Sequence, residues 1–216
     1  MKKHPWLQNN PIIRESKFLI IGTHPPMPYC GKFEFYYGNM NEFWRFLQAV
    51  YPNEKLYNNG CPNLNDILSF LDDYKIAITD IVEETNGEPF SIDSDMYVTK
   101  LNSKLKSWLE DSEVETIYFT SAGGKNNALS LFRKWIKEYY PHSDTIPDHK
   151  EWMKKGYNIK LGMRKYLLQF LYSPSPTARR GIKNSLPYKK WCKENNSSDI
   201  DQFRIEWYKD RLPKSK

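Results

Sequence analysis

The sequence lacks long hydrophobic runs and has few cysteines. No segment approaches the roughly 18 consecutive apolar residues that a membrane-spanning helix needs, so we expect no membrane partner. Residues 1–6 carry charge without an apolar stretch behind them, which argues against a signal peptide and predicts a cytoplasmic protein. The three cysteines, Cys30, Cys61 and Cys192, are odd in number and too few for a usual zinc or iron–sulfur site. We therefore expect neither a disulfide scaffold nor a bound metal.

The 216-residue chain also lacks the features that divide a protein into several parts. It has no internal repeat, no low-complexity tract and no Gly/Ser linker. A chain of this length is able to bury a sizeable core in one compact body. The sequence therefore predicts a single domain over residues 1–216.

Acidic residues are scarce in one part of the chain, and charge is strongly segregated. From His149 to Lys193, nine lysines and three arginines stand against Glu151 alone, although the whole chain has a net charge of only +6. Residues 66–95 hold nine Asp and Glu against Lys75. This pattern is typical of a surface that meets a polyanion, although a solvated basic helix would also produce it. Aromatic residues within the basic block favour nucleic acid, because bases stack on rings: Trp152, Tyr157, Tyr166, Tyr172, Tyr188 and Trp191.

Short apolar runs and helical patterns alternate along the chain. The runs are typical of buried strands and comprise residues 17–22, 75–80, 115–120 and 166–172. The helical patterns comprise residues 41–51, 64–71, 98–109, 128–139 and 199–211. This alternation predicts an α/β fold, a three-layer α-β-α sandwich with a central, mostly parallel four-stranded sheet. In such sheets ligands bind at the carboxyl ends of the strands, so the residues after each strand are candidates for function.

Three motifs follow or separate the predicted strands. Gly22-Thr-His-Pro25 ends the first strand, and Asn41-Glu-Phe-Trp44 opens the first helix after the aromatic run Phe33-Glu-Phe-Tyr-Tyr37. Ser173-Pro-Ser-Pro176 follows the last strand. Together these motifs resemble the uracil-DNA glycosylase superfamily, over residues 17–180. They look closest to its hypoxanthine-DNA glycosylase branch, and the mismatch-specific branch shares the Asn-x-Phe-Trp element.

The resemblance implies the fold described above and gives roles in catalysis and stacking to single residues. Asn41 would orient the attacking water, although asparagine is also a favoured helix cap at such a position. His24 lies where other branches place an aspartate or asparagine that handles this water, so it would act as a base or serve only as a turn residue. Tyr37 matches the aromatic residue that stacks on the extruded base. Tyr36 and Phe35 are the other candidates, and ordinary core packing is the alternative.

The remaining motif residues would bind the base or the DNA. Base binding falls to Gly22, Thr23, Asp80 and Ser173. Asp80 would accept hydrogen bonds from a base N–H, or would only cap the next segment. DNA contact falls to the loop and the arginines after the last strand: Pro174, Ser175, Pro176, Thr177, Arg179 and Arg180. The alternative is a proline-rich connector without a role.

One departure from the family pattern concerns the wedge residue that follows the Ser-Pro motif. Thr177 stands in that position and is smaller than the usual wedge. We therefore expect weaker base flipping, or help from Tyr172.

The sequence thus predicts a monofunctional DNA glycosylase that excises a deaminated base, hypoxanthine or uracil, from DNA and leaves an abasic site. No lysine nucleophile stands out in the motifs, so we expect no strand-cleaving lyase activity. We also expect no metal, no cofactor and a monomer. Two alternatives stay open: a non-catalytic nucleic-acid-binding protein on the same fold, and a small-molecule enzyme such as a nucleoside hydrolase, which would have no use for the basic block.

Overall fold

The computed structural model describes residues 1–7, 13–27, 33–38 and 41–214. Its strands are β1 (Lys2–Lys3), β2 (Phe18–Gly22), β3 (Tyr57–Asn58), β4 (Cys61–Pro62), β5 (Ile76–Asp80), β6 (Val82–Thr85), β7 (Val98–Leu101), β8 (Thr116–Phe119), β9 (Tyr157–Leu161) and β10 (Arg164–Phe170). Its helices are α1 (Phe43–Val50), α2 (Leu64–Asp73), α3 (Leu105–Asp111), α4 (Ala128–Tyr139), α5 (His149–Trp152), α6 (Arg179–Lys183), α7 (Leu186–Asn195) and α8 (Ile200–Lys209). Short 3-10 turns occur at Asp93–Asp95 and Pro176–Ala178. None of the helices in these ranges has the length and apolar character needed to span a bilayer.

The chain forms two compact units, each assembled from two segments. The sheet unit comprises Met1–Cys30 and Lys75–Phe170, and the helical unit comprises Gly31–Tyr74 and Leu171–Lys216. Each unit therefore combines two segments that are far apart in the sequence. The single domain over residues 1–216 stays a prediction.

The sheet unit is built on a five-stranded sheet in the order β5-β2-β8-β10-β9. Its first four members are parallel and correspond to the four predicted strands, so the mixed α/β fold with a mostly parallel sheet is confirmed. The prediction of four strands was wrong by one, because β9 adds an antiparallel edge beside β10. In β9 only Ile159 and Leu161 are buried, while Asn158 and Lys160 are exposed. This alternation leaves no continuous apolar run in the sequence.

The sheet is covered by the amphipathic helix α4. Asn127 caps its first turn by accepting a hydrogen bond from the backbone N–H of Ser130 at 2.8 Å. Phe132 on its buried face packs against Phe119 of β8, with ring centroids 5.0 Å apart. The helix spans residues 128–139, as the sequence predicts. The three-layer arrangement stays a prediction.

A second, three-stranded sheet in the sheet unit has the order β1-β6-β7. It corrects the predicted helix over residues 98–109, whose first part is strand β7, paired antiparallel with β6. Asn102 then ends the strand, and its Oδ1 accepts a hydrogen bond from the Lys104 backbone N–H at 3.1 Å. Helix α3 begins only after this turn, at Leu105. The predicted helix over residues 98–109 therefore starts too early.

The helical unit contains α1, α2, α6, α7 and α8 and the β3–β4 hairpin. Helix α1 packs on α8 through edge-on rings, since Phe43 and Phe46 both contact Tyr208. Helix α8 starts at Asp199, whose Oδ1 accepts the backbone N–H of Asp201 at 2.8 Å. The predicted first and last helices are therefore both present, and they form the core of this unit.

Candidate functional site

The ends of β2 and β5 bring the predicted base-binding residues of the sheet unit together. Gly22 and Asp80 are paired in the parallel ladder, as the last residues of their strands. The pairing continues past them, because Thr23 accepts a backbone hydrogen bond from Val82 at 3.1 Å. Gly22, Thr23 and Asp80 therefore lie together at one strand end, and their binding roles stay predictions.

Asp80 is held by a histidine that the sequence interpretation missed. His4 Nε2 lies 2.8 Å from Asp80 Oδ2, and both side chains are buried. His4 Nδ1 accepts the backbone N–H groups of Trp6 and Leu7, each at 3.1 Å. Nδ1 therefore carries no hydrogen, so the ring is neutral and Nε2–H donates to the carboxylate. His4 stands 76 residues from Asp80 and outside every motif, and no sequence signal identifies it.

His24 is the second histidine at this strand end, and its tautomer is also fixed. Its Nδ1 lies 2.7 Å from the carbonyl oxygen of Pro25, which only accepts, so Nδ1 carries the hydrogen and Nε2 the lone pair. The side chain is only 7% exposed, and Nε2 has no hydrogen-bond partner among the described residues. The ring stands edge-on to His4, with centroids 4.9 Å apart. Burial lowers the pKa of His24 from 6.5 to about 4. His24 is therefore a neutral hydrogen-bond acceptor at neutral pH.

Asp93 completes the group from a loop that the sequence interpretation passed over. Thr23 Oγ1 donates to Asp93 Oδ1 at 2.9 Å. Burial raises the pKa of Asp93 from 3.8 to about 6; the Thr23 hydrogen bond opposes this rise, and the nearby Asp80 carboxylate adds to it. Asn126, itself in the left-handed region at φ +56°, donates to the backbone oxygen of Asp93 at 3.1 Å and so holds the loop. The only sequence signal was the acidic stretch to which Asp93 belongs. We call His4, Thr23, His24, Asp80 and Asp93 the histidine–aspartate cluster.

The cluster is rich in acceptors and poor in donors. No group of three or more His, Cys, Asp and Glu side chains in the described part of the chain is arranged to hold a metal ion. The cluster offers the Nε2 lone pair of His24, and Asp80 keeps Oδ1, which accepts no hydrogen bond within the same ranges. Such a site is suited to a ligand that presents N–H or O–H groups.

In the helical unit, Tyr37 is the most accessible of the three candidate stacking rings. Phe35 and Tyr36 are buried, whereas Tyr37 is half-buried. The backbone of Tyr37 is left-handed at φ +55°, and its ring stacks on Phe43 at a centroid distance of 4.1 Å. The Tyr36 carbonyl accepts the indole N–H of Trp44 at 2.9 Å, which fixes this run against the start of α1. Core packing is thus the role of Phe35 and Tyr36, and Tyr37 stays the predicted stacking residue.

Asn41 lies just before helix α1 and binds its first backbone N–H. Its Oδ1 accepts the backbone N–H of Phe43 at 2.9 Å, and its own backbone N–H bonds to Gly38 at 2.8 Å. The side chain is half-buried and makes no other hydrogen bond within the described ranges. The N-cap residue itself is Glu42, which has no side-chain cap, so the predicted N-cap position is wrong by one residue. The amide N–H₂ and one lone pair of Oδ1 remain for a further partner.

A network of charged side chains holds the Ser-Pro loop in the helical unit. Arg204 is fully buried and donates to the backbone oxygens of Ser173 and Ser175, at 3.0 and 3.4 Å. It also donates to Glu42 and Asp201. The same two carboxylates accept hydrogen bonds from Arg45 and Arg179, at 2.7 to 2.9 Å. We call this the arginine network: Glu42, Arg45, Arg179, Asp201 and Arg204. Sequence reasoning missed it, apart from giving Arg179 to phosphate.

The predicted DNA-contact residues of this loop divide into held and exposed ones. The Pro174 oxygen accepts the Glu42 backbone N–H at 3.2 Å, and Ser173 Oγ accepts the Ser175 backbone N–H at 3.2 Å. By contrast, three of the predicted residues are exposed: Pro176, Thr177 and Arg180. Tyr172, the suggested helper for base flipping, is buried and donates to Ser185 Oγ at 3.2 Å. Its ring therefore belongs to the core of the unit.

Each unit thus gathers its own share of the predicted site residues. The sheet unit collects Gly22, Thr23, His24 and Asp80, and the helical unit collects Tyr37, Asn41, the loop 173–177 and Arg179. Compared with known proteins, the chain matches no family model and no curated protein.

Proposed function

We propose that the protein is a monofunctional DNA glycosylase, with the three-layer sandwich of the uracil-DNA glycosylase superfamily. It hydrolyses the N-glycosidic bond of a deaminated base, hypoxanthine or uracil, and leaves an abasic site. The observation that carries the proposal is the buried, unpartnered acceptor of His24 beside the Asp80 carboxylate at the strand end.

Deamination converts one ring nitrogen of the base from a hydrogen-bond acceptor into a donor, so acceptors in the site suit deaminated bases. Adenine N1 and cytosine N3 are lone-pair acceptors, whereas hypoxanthine N1 and uracil N3 carry hydrogen. A lone pair at His24 Nε2 and a carboxylate at Asp80 would attract that N–H and would repel the lone pair of an undamaged base. An undamaged base would leave these buried acceptors without a donor, and this costs more binding free energy than its other contacts would gain. The arrangement therefore selects deaminated bases.

The cluster also suits the charge that develops during the reaction. The C1′–N bond breaks, the base leaves with its electron pair, and the sugar becomes oxocarbenium-like until water adds at C1′ and its proton passes to the departing base. The Asp80 carboxylate, which accepts a hydrogen bond from His4, would stabilise such a cation. His24 has its pKa lowered to about 4, so its part is to accept a hydrogen bond rather than to carry the proton of the water.

The helical unit supplies the other expected roles. The resemblance gives Asn41 the orientation of the water and Tyr37 the stacking on the base, and the unused amide group of Asn41 and the half-buried ring of Tyr37 suit these roles. Arg180 and Thr177 are exposed in the basic block and suit contact with the DNA backbone. Arg179 is bound to Glu42 and Asp201, so its role is to hold the Ser-Pro loop in place.

One observation favours a second candidate, a non-catalytic nucleic-acid-binding protein. The Asn41 oxygen is already engaged in capping, which is what a protein that has lost its chemistry would keep. Such a protein would bind DNA at low salt and excise no base.

Excision of single bases tests the proposal. End-labelled duplexes and single strands carry one uracil, hypoxanthine or xanthine, and abasic products are cleaved with alkali. We expect excision that excess chelator leaves intact and that Asn41→Ala abolishes. Asn63→Ala is the control, since Asn63 also accepts a backbone N–H in the first turn of a helix, that of Asp66 in α2. Absence of excision on every substrate, with DNA binding retained, would leave the binding protein as the better interpretation.

A further inference from the structure

Helix α7 in the helical unit has an outer face with an unusual composition. Leu186, its first residue, is 80% exposed. Lys189, Lys190 and Lys193 follow at i+3, i+4 and i+7, so they share a face with Leu186, and all are exposed. We call these four residues the α7 stripe. A large apolar side chain therefore stands at one end of a row of cations.

The backbone under Leu186 is held firmly. Ser185 caps the helix by accepting the Tyr188 N–H, and Pro187 stands in the first turn, where its fixed φ suits a helix. On the opposite face, Tyr188 and Trp191 are buried and stack on one another. Tyr188 also donates to the Ser198 oxygen at 2.7 Å. The exposed leucine is thus carried on a rigid support rather than on a loose loop.

Most of the positive charges around the stripe form no ion pair within the described part of the chain. Residues 179–193 contain six Lys and Arg and no acid. Lys190 pairs with Glu194 at 3.3 Å, and Arg179 belongs to the arginine network. The remaining four form no ion pair with any residue in the described ranges: Arg180, Lys183, Lys189 and Lys193. Such a surface attracts a polyanion and lacks an internal partner.

We infer that the α7 stripe docks on duplex DNA, with its lysines on phosphates and Leu186 inserted into the base stack. This inference rests on the proposed function, since an extruded base leaves a gap that an apolar side chain fills. Leu186 and Lys193 are seven residues apart, about 10 Å along the helix, which matches the rise of about three base pairs. Thr177 is small and Tyr172 is buried, so neither offers such a wedge.

The test compares duplex with single-stranded substrate, because only a duplex has a stack to open. Single-turnover excision is measured for wild type, Leu186→Ala and Leu186→Met, with Leu68→Ala as the matched control. Leu68 is an exposed leucine on α2 of the same unit, at 43%. We expect Leu186→Ala to slow duplex excision about tenfold or more, with single-strand excision unchanged and Leu186→Met close to wild type.

A second measurement tests the lysines independently of Leu186. In Lys189→Gln/Lys193→Gln, the slope of log binding constant against log salt should fall by about 2, because each phosphate contact contributes about 0.9. An unchanged salt slope, or equal slowing of duplex and single-strand excision by Leu186→Ala, would overturn the inference. Wild-type protein that excises no base from either substrate would instead overturn the proposed function, so the two failures are distinguishable.

Discussion

The two charged clusters of the molecule bury polar side chains in opposite ways. In the arginine network, every carboxylate oxygen of Glu42 and Asp201 accepts a hydrogen bond from an arginine. The histidine–aspartate cluster contains no cation. It leaves His24 Nε2 without a partner in the described ranges, and it holds Asp93 with a pKa raised to about 6.

This difference separates a scaffold from a site. The carboxylates of the network are paired with arginines, so the network fixes the Ser-Pro loop and the ends of two helices, although Arg204 Nε has no hydrogen-bond partner in the described ranges. An unsatisfied buried acceptor costs stability, and a fold retains such a cost where a ligand is to use the group. Variants that remove the pairing in one cluster, or that reveal the lack of pairing in the other, test this difference.

The largest effect is expected from the arginine network. Arg204→Met leaves two carboxylates short of a donor and frees the carbonyls of Ser173 and Ser175. We expect the free energy of unfolding, measured by urea denaturation, to fall by about 3–5 kcal/mol. Arg45→Met removes an exposed member and should cost less than about 1 kcal/mol. Equal losses in the two variants would show that the network is not the support of this unit.

The two titrating groups of the histidine–aspartate cluster should give opposite pH trends. The unfolded chain binds more protons at His24 between pH 4 and 6.5, so this group adds stability as the pH rises, by about 3 kcal/mol. The folded protein binds more protons at Asp93 between pH 3.8 and 6. Stability from this group is complete below that window and is lost as the pH rises, by up to about 3 kcal/mol.

Single variants should reveal each trend, because the two nearly cancel in the wild type. In His24→Gln, the free energy of unfolding should fall as the pH rises from 4 to 6. In Asp93→Asn, it should rise over the same range. Urea denaturation at several pH values measures both. Variants that keep the wild-type pH profile would contradict the burial of these two groups.

A smaller effect is expected at His4. His4→Ala removes the donor to Asp80 and leaves the Trp6 and Leu7 N–H groups without their acceptor. We expect a loss of about 1–3 kcal/mol in urea denaturation. Because His4 supports Asp80 rather than the helical unit, we also expect slower excision with unchanged salt dependence of DNA binding. Full activity in folded His4→Ala would remove His4 from the site.

The smallest effect on stability concerns Asn41. Asn41→Ala and Asn63→Ala each remove a side-chain acceptor from the first turn of a helix, and each should cost about 1 kcal/mol. Only Asn41→Ala should abolish excision, and Asn41→Asp should restore the cap without the amide group. Excision that is lost equally in Asn63→Ala would mean that capping alone explains the role of Asn41.

The sequence predicted the parts of the fold that rest on local pattern. The parallel strands are continuous apolar runs such as Phe18–Gly22, and α4 has a cap and a clear apolar face. Strand β9 was not predicted because buried and exposed residues alternate along it. Strand β7 was not predicted because its apolar residues continue into the pattern of the helix that follows. These errors come from short elements whose pairing decides their form.

The candidate site was predictable only where motifs stand at strand ends. Thr23, His24 and Asp80 follow from that rule, whereas His4 and Asp93 approach them from segments without a pattern. Arg204 meets Glu42 across 162 residues, and nothing in either neighbourhood encodes the other. Ion pairs over such distances are set by tertiary packing, which a single sequence does not display.

The most direct test of the central claim compares two bases that differ only in the group on one ring nitrogen. Hypoxanthine carries N1–H, and 1-methylhypoxanthine carries a methyl group there. Single-turnover excision of both from the same duplex is measured in wild type and in His24→Ala, which forms a double-mutant cycle. If His24 Nε2 accepts this N–H, wild type prefers hypoxanthine by about tenfold or more, and the preference shrinks in His24→Ala. A preference that is the same in both proteins would contradict the claim that the unpartnered acceptor selects the base.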